Sequence, residues 1–463
     1  MSAKRSDALL HKRENGYRSL SAEEKAAMNA YCEDYKTFLD KSRTEREAVR
    51  YTVQLAEARG YRPYHRGEAL KPGDKIYRVN RDKAIMLAVM GSESLDKGVN
   101  IGAAHIDAPR LDLKPNPLIE DSEFALLKTH YYGGIRKYHW VSIPLSLRGV
   151  VVKRDGTKVD VVIGGEPGDP LLTIPDLLPH LADKQAKEPL WQAIKGEDLN
   201  ILVGSEPYPD PDEKDAVKLM VLDILNQKYG MVEEDFLSAE LCAVPAYPVA
   251  DVGLDRSMIG SYGQDDRVCS FAALQGLFDA EETLKRTGVC MLVDKEEIGS
   301  EGVSGMQSWA FDTFLSDLCD ATGASLKSCY EHSFCLSADV TAAFDPNFAE
   351  VYEKHNAARL NRGVGLCKYT GARGKSGASD ASAEVVGYVR KLFNNNGILW
   401  QLSEMGKVDV GGGGTVALYM ANRNIDTIDA GTPVFSMHAP FETVTKFDCY
   451  QTYKAMWAFY KDR

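Results

Sequence analysis

Met291-Leu292-Val293-Asp294-Lys295-Glu296-Glu297-Ile298-Gly299-Ser300 is an apolar run that stops on two adjacent glutamates and a turn glycine. The run reads as a buried strand. Adjacent residues of an extended segment point to opposite sides, so the two carboxylates are expected to do different jobs, one holding a cation while the other faces a water. Side by side they repel, and without compensating charge at least one would take up a proton near neutral pH. If both are ionised, positive charge is nearby. Taken by itself, Glu-Glu is more often a solvated pair of an acidic protein.

The surroundings of the pair set the fold class. Upstream, Ser21-Ala22-Glu23-Glu24 is a capping box followed by Met28, Tyr31, Cys32, Tyr35, Phe38 and Leu39 at helical spacing, and Thr44-Glu45-Arg46-Glu47 opens a second helix that stops at Gly60. The texture then changes to short apolar runs, Ala84 to Met90 and Val99 to Ala104, the second running straight into His105-Ile106-Asp107-Ala108-Pro109. Downstream come a helix from Arg267 to Glu282, strands at Val289 to Val293 and Phe334 to Ala338, and a helix from Asp380 to Leu392. Strands at Ile398 to Leu402 and near Ile425 to Ala430 follow, then a terminal helix from Glu442. Alternating strands and helices predict an α/β fold: a mixed, largely parallel sheet sandwiched by helices. Between about Pro115 and Pro245 the character differs, with an Asp155-Gly156 hairpin signal and an exposed Pro-rich loop at Pro207 to Pro211. This block reads as a smaller inserted domain, giving 1–113 and 246–463 as two parts of one domain and 114–245 as the insert.

Composition bounds the partners. The chain has 463 residues, 44% hydrophobic and 26% charged, with a formal net charge of −12. Those values describe a globular chain with a large core, and the acidic balance argues against a nucleic-acid surface or an anionic membrane as partner. No signal-peptide core follows Met1, and no apolar run approaches ~20 residues, so a cytoplasmic location is expected. Nine scattered cysteines without a Cys-x-x-Cys pair read as reduced thiols. Any metal would then be held by histidine and carboxylates.

Ligand sites of open α/β sheets lie beyond the carboxyl ends of the strands. There this sequence places His105 and Asp107, Glu296 and Glu297, Asp339, and His438, and it adds Asp265-Asp266-Arg267 just before a helix. Asp265-Asp266 alone would pass for a helix cap, and a lone strand-end histidine for a hydrogen-bonded structural residue. Five segments that deliver such residues to one sheet edge are harder to dismiss. Imidazoles with several carboxylates suit divalent metal, zinc first and manganese or cobalt next. Three carboxylates and a bridging hydroxide would balance two divalent ions, leaving one glutamate over as a base. Asp107, two residues after His105, can orient the imidazole.

Taken in order, His105-Ile106-Asp107, Gln264-Asp265-Asp266-Arg267, Asp294 to Ser300, Ser337-Ala338-Asp339 and Ser436-Met437-His438 resemble the M18 family of metalloaminopeptidases, with Tyr132-Gly133-Gly134 adding to the match. The resemblance implies a dinuclear zinc peptidase fold interrupted by a β-rich dimerisation domain, with dimers often assembling into tetrahedral dodecamers. It implies two divalent ions, most often zinc, and peptide substrates cut at the N-terminal residue. By motif position Asp265 would bridge the metals, His105 and Asp339 would complete one site, and Glu297 and His438 the other. Glu296 would be general base and acid, with Asp107 orienting.

Two departures bear on specificity. In aspartyl aminopeptidases a histidine of the partner's small domain is expected to assist, yet Val161 to Leu172 holds none, which leaves His139 as the substitute candidate. The histidines expected after Asp339 are also missing from Ala342 to Pro346, and Lys375 is the candidate anchor for a substrate carboxylate. The leading expectation is a cytoplasmic, homo-oligomeric dizinc aminopeptidase. Its rivals are a related deacylase or carboxypeptidase with the same metals, and a non-catalytic assembly or cargo protein that keeps the fold.

Overall fold

The computed structural model describes residues 5, 9–10, 14–280 and 284–462. The chain divides into two compact units, one of Met1–Asp107, Val249–Met437 and Glu442–Arg463, the other of Ala108–Pro248 and His438–Phe441. The expected insert, 114–245, begins inside the strand Arg110–Asp121. That strand pairs with Phe124–Tyr132 on one side and Ala239–Pro245 on the other, so its first residues go with the smaller unit.

The larger unit is built on a nine-stranded sheet. From edge to edge its strands are Arg62–Pro63, Lys75–Asn80, Ala84–Val89, Gly288–Val293, Asn100–His105, Phe334–Ser337, Asp426–Gly431, Val364–Cys367 and Trp400–Leu402. Five of its eight junctions are parallel and three antiparallel. The central strands are buried on both faces, and their alternate side chains feed two cores. Ile85, Leu87, Val89, Cys290 and Leu292 join one core with residues of the helices Ala22–Lys41, Glu45–Glu57, Gln264–Ala280, Ala383–Asn395 and Lys446–Lys461. Met86, Ala88, Val289, Met291 and Val293 join the other, with residues of Ala310–Thr322 and Leu326–His332. A second sheet of five strands carries Met258–Ser261 and Glu442–Thr445 side by side. The smaller unit holds a six-stranded sheet in which every junction is antiparallel, together with the helix Ala216–Tyr229.

Both capping boxes are present: Ser21 with Glu24, and Thr44 with Glu47. Two differences from expectation in the carboxyl half of the chain bear on the site. The chain leaves its strand at Val293, and Glu296–Ile298 form a 3-10 turn entered through Lys295 at φ 67°, so the two glutamates diverge on a turn rather than along an extended strand. Glu442–Thr445 is a strand, and the terminal helix starts only at Lys446. Thr443, Val444 and Thr445 are β-branched and keep the segment extended, until the Thr445 hydroxyl accepts the Asp448 N–H and caps the helix. Glu281 and Glu282, the expected end of the earlier helix, lie outside the described residues. Among the described residues no helix is long and apolar enough to cross a membrane.

The helix Gln264–Ala280, which starts at the candidate site, lies in close contact with Lys446–Lys461 at Gly276. A Cβ there would lie 2.7 Å from Met456 Cβ and 2.9 Å from the Trp457 backbone nitrogen, while a Cβ at Gly387, inside Ala383–Asn395, would meet nothing within 4 Å. Gly276→Ala is therefore expected to destabilise by about 1–3 kcal/mol, and Gly387→Ala to stabilise by about 0.5–1 kcal/mol. Urea denaturation of the two variants checks the pair; equal midpoints would remove this account of the helix contact.

Candidate metal centre

Parallel pairing brings the site segments to one edge of the large sheet. Val293 lies in register with His105, and Ser337 with Ala103, so the residues that follow these strands emerge together. Asp339 comes two residues after its strand. The neighbouring strand approaches it at Gly431, where a Cβ would stand 1.7 Å from the Asp339 carbonyl oxygen, so only glycine fits. Asp265 and Asp266 keep non-helical dihedrals at the head of Gln264–Ala280. The two aspartates thus precede the regular helix.

His105 lies at the centre, 1% exposed. Its Nδ1 is 3.1 Å from the Asp107 carbonyl oxygen and 3.2 Å from Asp107 Oδ1, acceptors that both require Nδ1 to carry the proton. Nε2 faces Asp265 Oδ1 at 3.1 Å, with Glu296 Oε2 and Asp339 Oδ1 each at 3.9 Å. The Ser270 hydroxyl donates to the His105 carbonyl at 2.6 Å and fixes the strand end.

Asp107 does more than orient the imidazole. Its Oδ1 accepts the Glu296 N–H and its Oδ2 the Glu297 N–H, both at 3.2 Å. The first N–H groups of a helical turn have no partner within the turn, and a buried carboxylate satisfies two of them here. One side chain therefore sets both the tautomer of His105 and the position of the glutamate pair. The far end of the turn is held at the Gly299 carbonyl, which accepts from Gln307 Nε2 at 2.8 Å and from the Tyr419 hydroxyl at 3.0 Å.

The donor set fits divalent metal. His105, Glu296 and Asp339; His105, Asp265 and Glu297; and Asp265, Asp266 and Asp339 form overlapping triplets whose ligand atoms lie within 4.8 Å of one another. Burial raises the Asp339 carboxyl well above the usual range, with Asp266, Glu296 and Asp265 adding repulsion. Asp266 is raised by burial too, with Asp265 adding to it. Burial disfavours a charged His105, yet Asp107 and Asp265 on its two nitrogens, with Glu296 beside them, hold its pKa well above the ordinary value. Every one of these shifts is relieved by positive charge among the carboxylates, and an imidazole nitrogen with hard oxygens is a zinc-type donor set.

His438 belongs to the smaller unit and to none of the triplets. Its Nδ1 donates to the Gly134 carbonyl at 2.9 Å, which leaves the lone pair on Nε2. Lys375 sits at φ 62° with its amine 2.9 Å from Asp380 Oδ2 and 3.9 Å above the Tyr369 ring. His139 ends a 3-10 turn against Tyr138, and burial followed by Arg136 lowers its pKa. Sequence reading missed Glu442, which is 2% exposed and whose Oε2 accepts the Asp265 N–H at 3.1 Å, and it missed Gln307 and Tyr419. The β-branched run Thr443-Val444-Thr445 that follows Glu442 is the one signal in the sequence that sets it apart from the terminal helix.

Residues 38–460 match the family model for aminopeptidase I zinc metalloprotease (M18). A probable M18 family aminopeptidase 1 of Borrelia garinii is 45% identical over 458 residues, 97% of this chain and 100% of the relative. The crystal structure of an M18-family aminopeptidase from Thermotoga maritima superposes with a TM-score of 0.94 at 44% identity, covering 98% of this chain and 100% of that one. That of aminopeptidase I from Clostridium acetobutylicum gives 0.92 at 40%, with coverage of 98% and 100%.

If Asp107 sets both the imidazole and the glutamate turn, Asp107→Ala should weaken zinc binding about 10–100-fold while the chain stays folded. Competition with a chelating dye measures it, and parental affinity in the variant would refute the role.

Proposed function

Because the chain belongs to the M18 family of aminopeptidase I zinc metalloproteases, we propose a division of labour among its residues for removing the N-terminal residue of a peptide. It is a metal-dependent aminopeptidase, a hydrolase. The observation that carries the assignment of roles is the grip of Asp107 on His105 and on both glutamate amides.

Two zinc ions are the proposed cofactors, with His105 and Asp339 in one site, Glu297 and His438 in the other, and Asp265 shared; cobalt or manganese suits the same donors. Bound there, the metal supplies a Lewis acid for the scissile carbonyl and lowers the pKa of water. Glu296 takes the proton of the attacking water and passes it to the leaving amine. Its turn is gripped from both ends, so the carboxylate keeps its aim through both transfers. Asp107 holds the Nδ1 proton of His105, which keeps Nε2 turned towards the acidic cluster. A carboxylate of that cluster meets the free α-amine of the substrate, which restricts cleavage to the first peptide bond. Neither Lys375 nor His139 is needed for this scheme.

A homo-oligomer belongs to the same proposal, dimeric or dodecameric. A relative of the same fold, mApe1 of S. cerevisiae, is a dodecamer, at a TM-score of 0.77 and 22% identity. Nine free thiols, eight of them buried, support a reducing cytoplasmic setting.

Glu296→Gln is expected to keep its zinc content and lose about 10²–10⁴ in kcat, measured with metal analysis on an aminoacyl substrate panel. Activity near the parent level would show that the base is another residue. Peptides carrying an N-acetyl group should resist the parent enzyme, and their cleavage would favour a deacylase or carboxypeptidase.

A further inference from the structure

Asp265 is the residue on which both proposed metal sites converge, and its backbone is unusual. It sits at φ −78° and ψ 108° at the head of Gln264–Ala280, so the helix ladder does not govern its position. Its residue is 3% exposed, so its N–H has little access to water. Aspartate places only two torsions between backbone and carboxylate, so a small shift of the main chain moves the ligand oxygens by a similar amount. Ligand geometry tolerates only about 0.5 Å.

We propose that Glu442 is a positioning residue of this centre: its buried carboxylate fixes the Asp265 backbone and so aims the carboxylate shared between the metals. The contact runs from Asp265 N–H to Glu442 Oε2 at 3.1 Å. Hydrogen bonds to an ionised acceptor are stronger than neutral ones, and this one sits where solvent competes little. Glu442 is itself held in register. Its strand pairs antiparallel with Met258–Ser261, and Ser261 is the direct partner of Glu442. Gln264, one residue before Asp265, is fixed in turn by the Tyr35 hydroxyl and by its own donation to the Ile259 carbonyl at 3.1 Å. The short stretch from Ser261 to Asp265 is thus held at one end by strand pairing and at the other by the Tyr35 and Glu442 side chains. Glu442 also follows the expected ligand His438 by four residues, so one continuous segment supplies a ligand and the support of another.

The proposal rests on Asp265 being a metal ligand, and the test separates the two claims. Zinc affinity by chelator competition and Tm are measured for the full chain and for E442A, E442Q, E442D and D265N. Zinc binding should weaken about 10–100-fold in E442A, and stay within about threefold in E442Q, whose amide oxygen still accepts the N–H. E442D keeps the charge but withdraws the acceptor by about 1.5 Å, and should also bind zinc more weakly. Parental affinity in E442A, equal losses in E442A and E442Q, or a lowered Tm without loss of zinc affinity would each overturn the positioning role. Should E442A fail to fold, E442D decides, and parental affinity there overturns the proposal. Loss of zinc in D265N with E442A unaffected rejects Glu442 alone, whereas parental affinity in D265N rejects the ligand assignment beneath it.

Discussion

Like-charge repulsion in a buried place is the constraint from which this structure is best understood. Asp265, Asp266, Glu296, Glu297 and Asp339 gather around one imidazole, with ligand atoms of overlapping triplets inside 4.8 Å. Water would weaken that repulsion strongly, and the site gives these groups little of it. A cluster of this kind persists only if the backbone holds it and a cation compensates it. The fold supplies the holding, through Asp107 on the glutamate turn, Ser270 on the end of the His105 strand, Glu442 on Asp265, and Gln307 with Tyr419 on Gly299.

The sheet makes such holding possible. Because its central strands are covered on both faces, their ends cannot drift without disturbing two cores at once. Parallel neighbours end at the same edge, so chemistry dispersed over more than two hundred residues of sequence meets there without long reaching side chains. Each ligand then needs only a short stem and a local support, and several of the supports come from segments distant in sequence from the ligands they serve. Asp107 and Glu296 lie 189 residues apart, and Asp265 and Glu442 lie 177 apart.

Much of this was legible beforehand, and the reasons are local. Capping boxes at Ser21 and Thr44 are contained within four residues, so they announce the helices without help from the rest of the chain. The apolar runs ending on His105 and Asp294 mark doubly buried strands for the same reason. The Glu296–Glu297 turn was misread as extended because its bend depends on Lys295 adopting a left-handed backbone, which no residue type at that position dictates. Glu442 was misread as helical because an acidic residue before a helix is the ordinary pattern, while its strand exists by virtue of pairing with Met258–Ser261.

The kind of chemistry is written in the chain: an α/β chain with histidine and carboxylates at strand ends, free of a thiolate metal motif, carrying five ordered motifs of a metalloaminopeptidase. Residue type and short spacing carry that information because they fix what a side chain can bind. Tertiary structure alone decided which groups support which: that Asp107 grips both glutamate amides, that Tyr419 and Gln307 close the turn, and that Glu442 holds Asp265. A hydrogen bond is a matter of a few tenths of an ångström between atoms from distant segments. Only the packed sheet, with its register and its turns set, brings those atoms within reach.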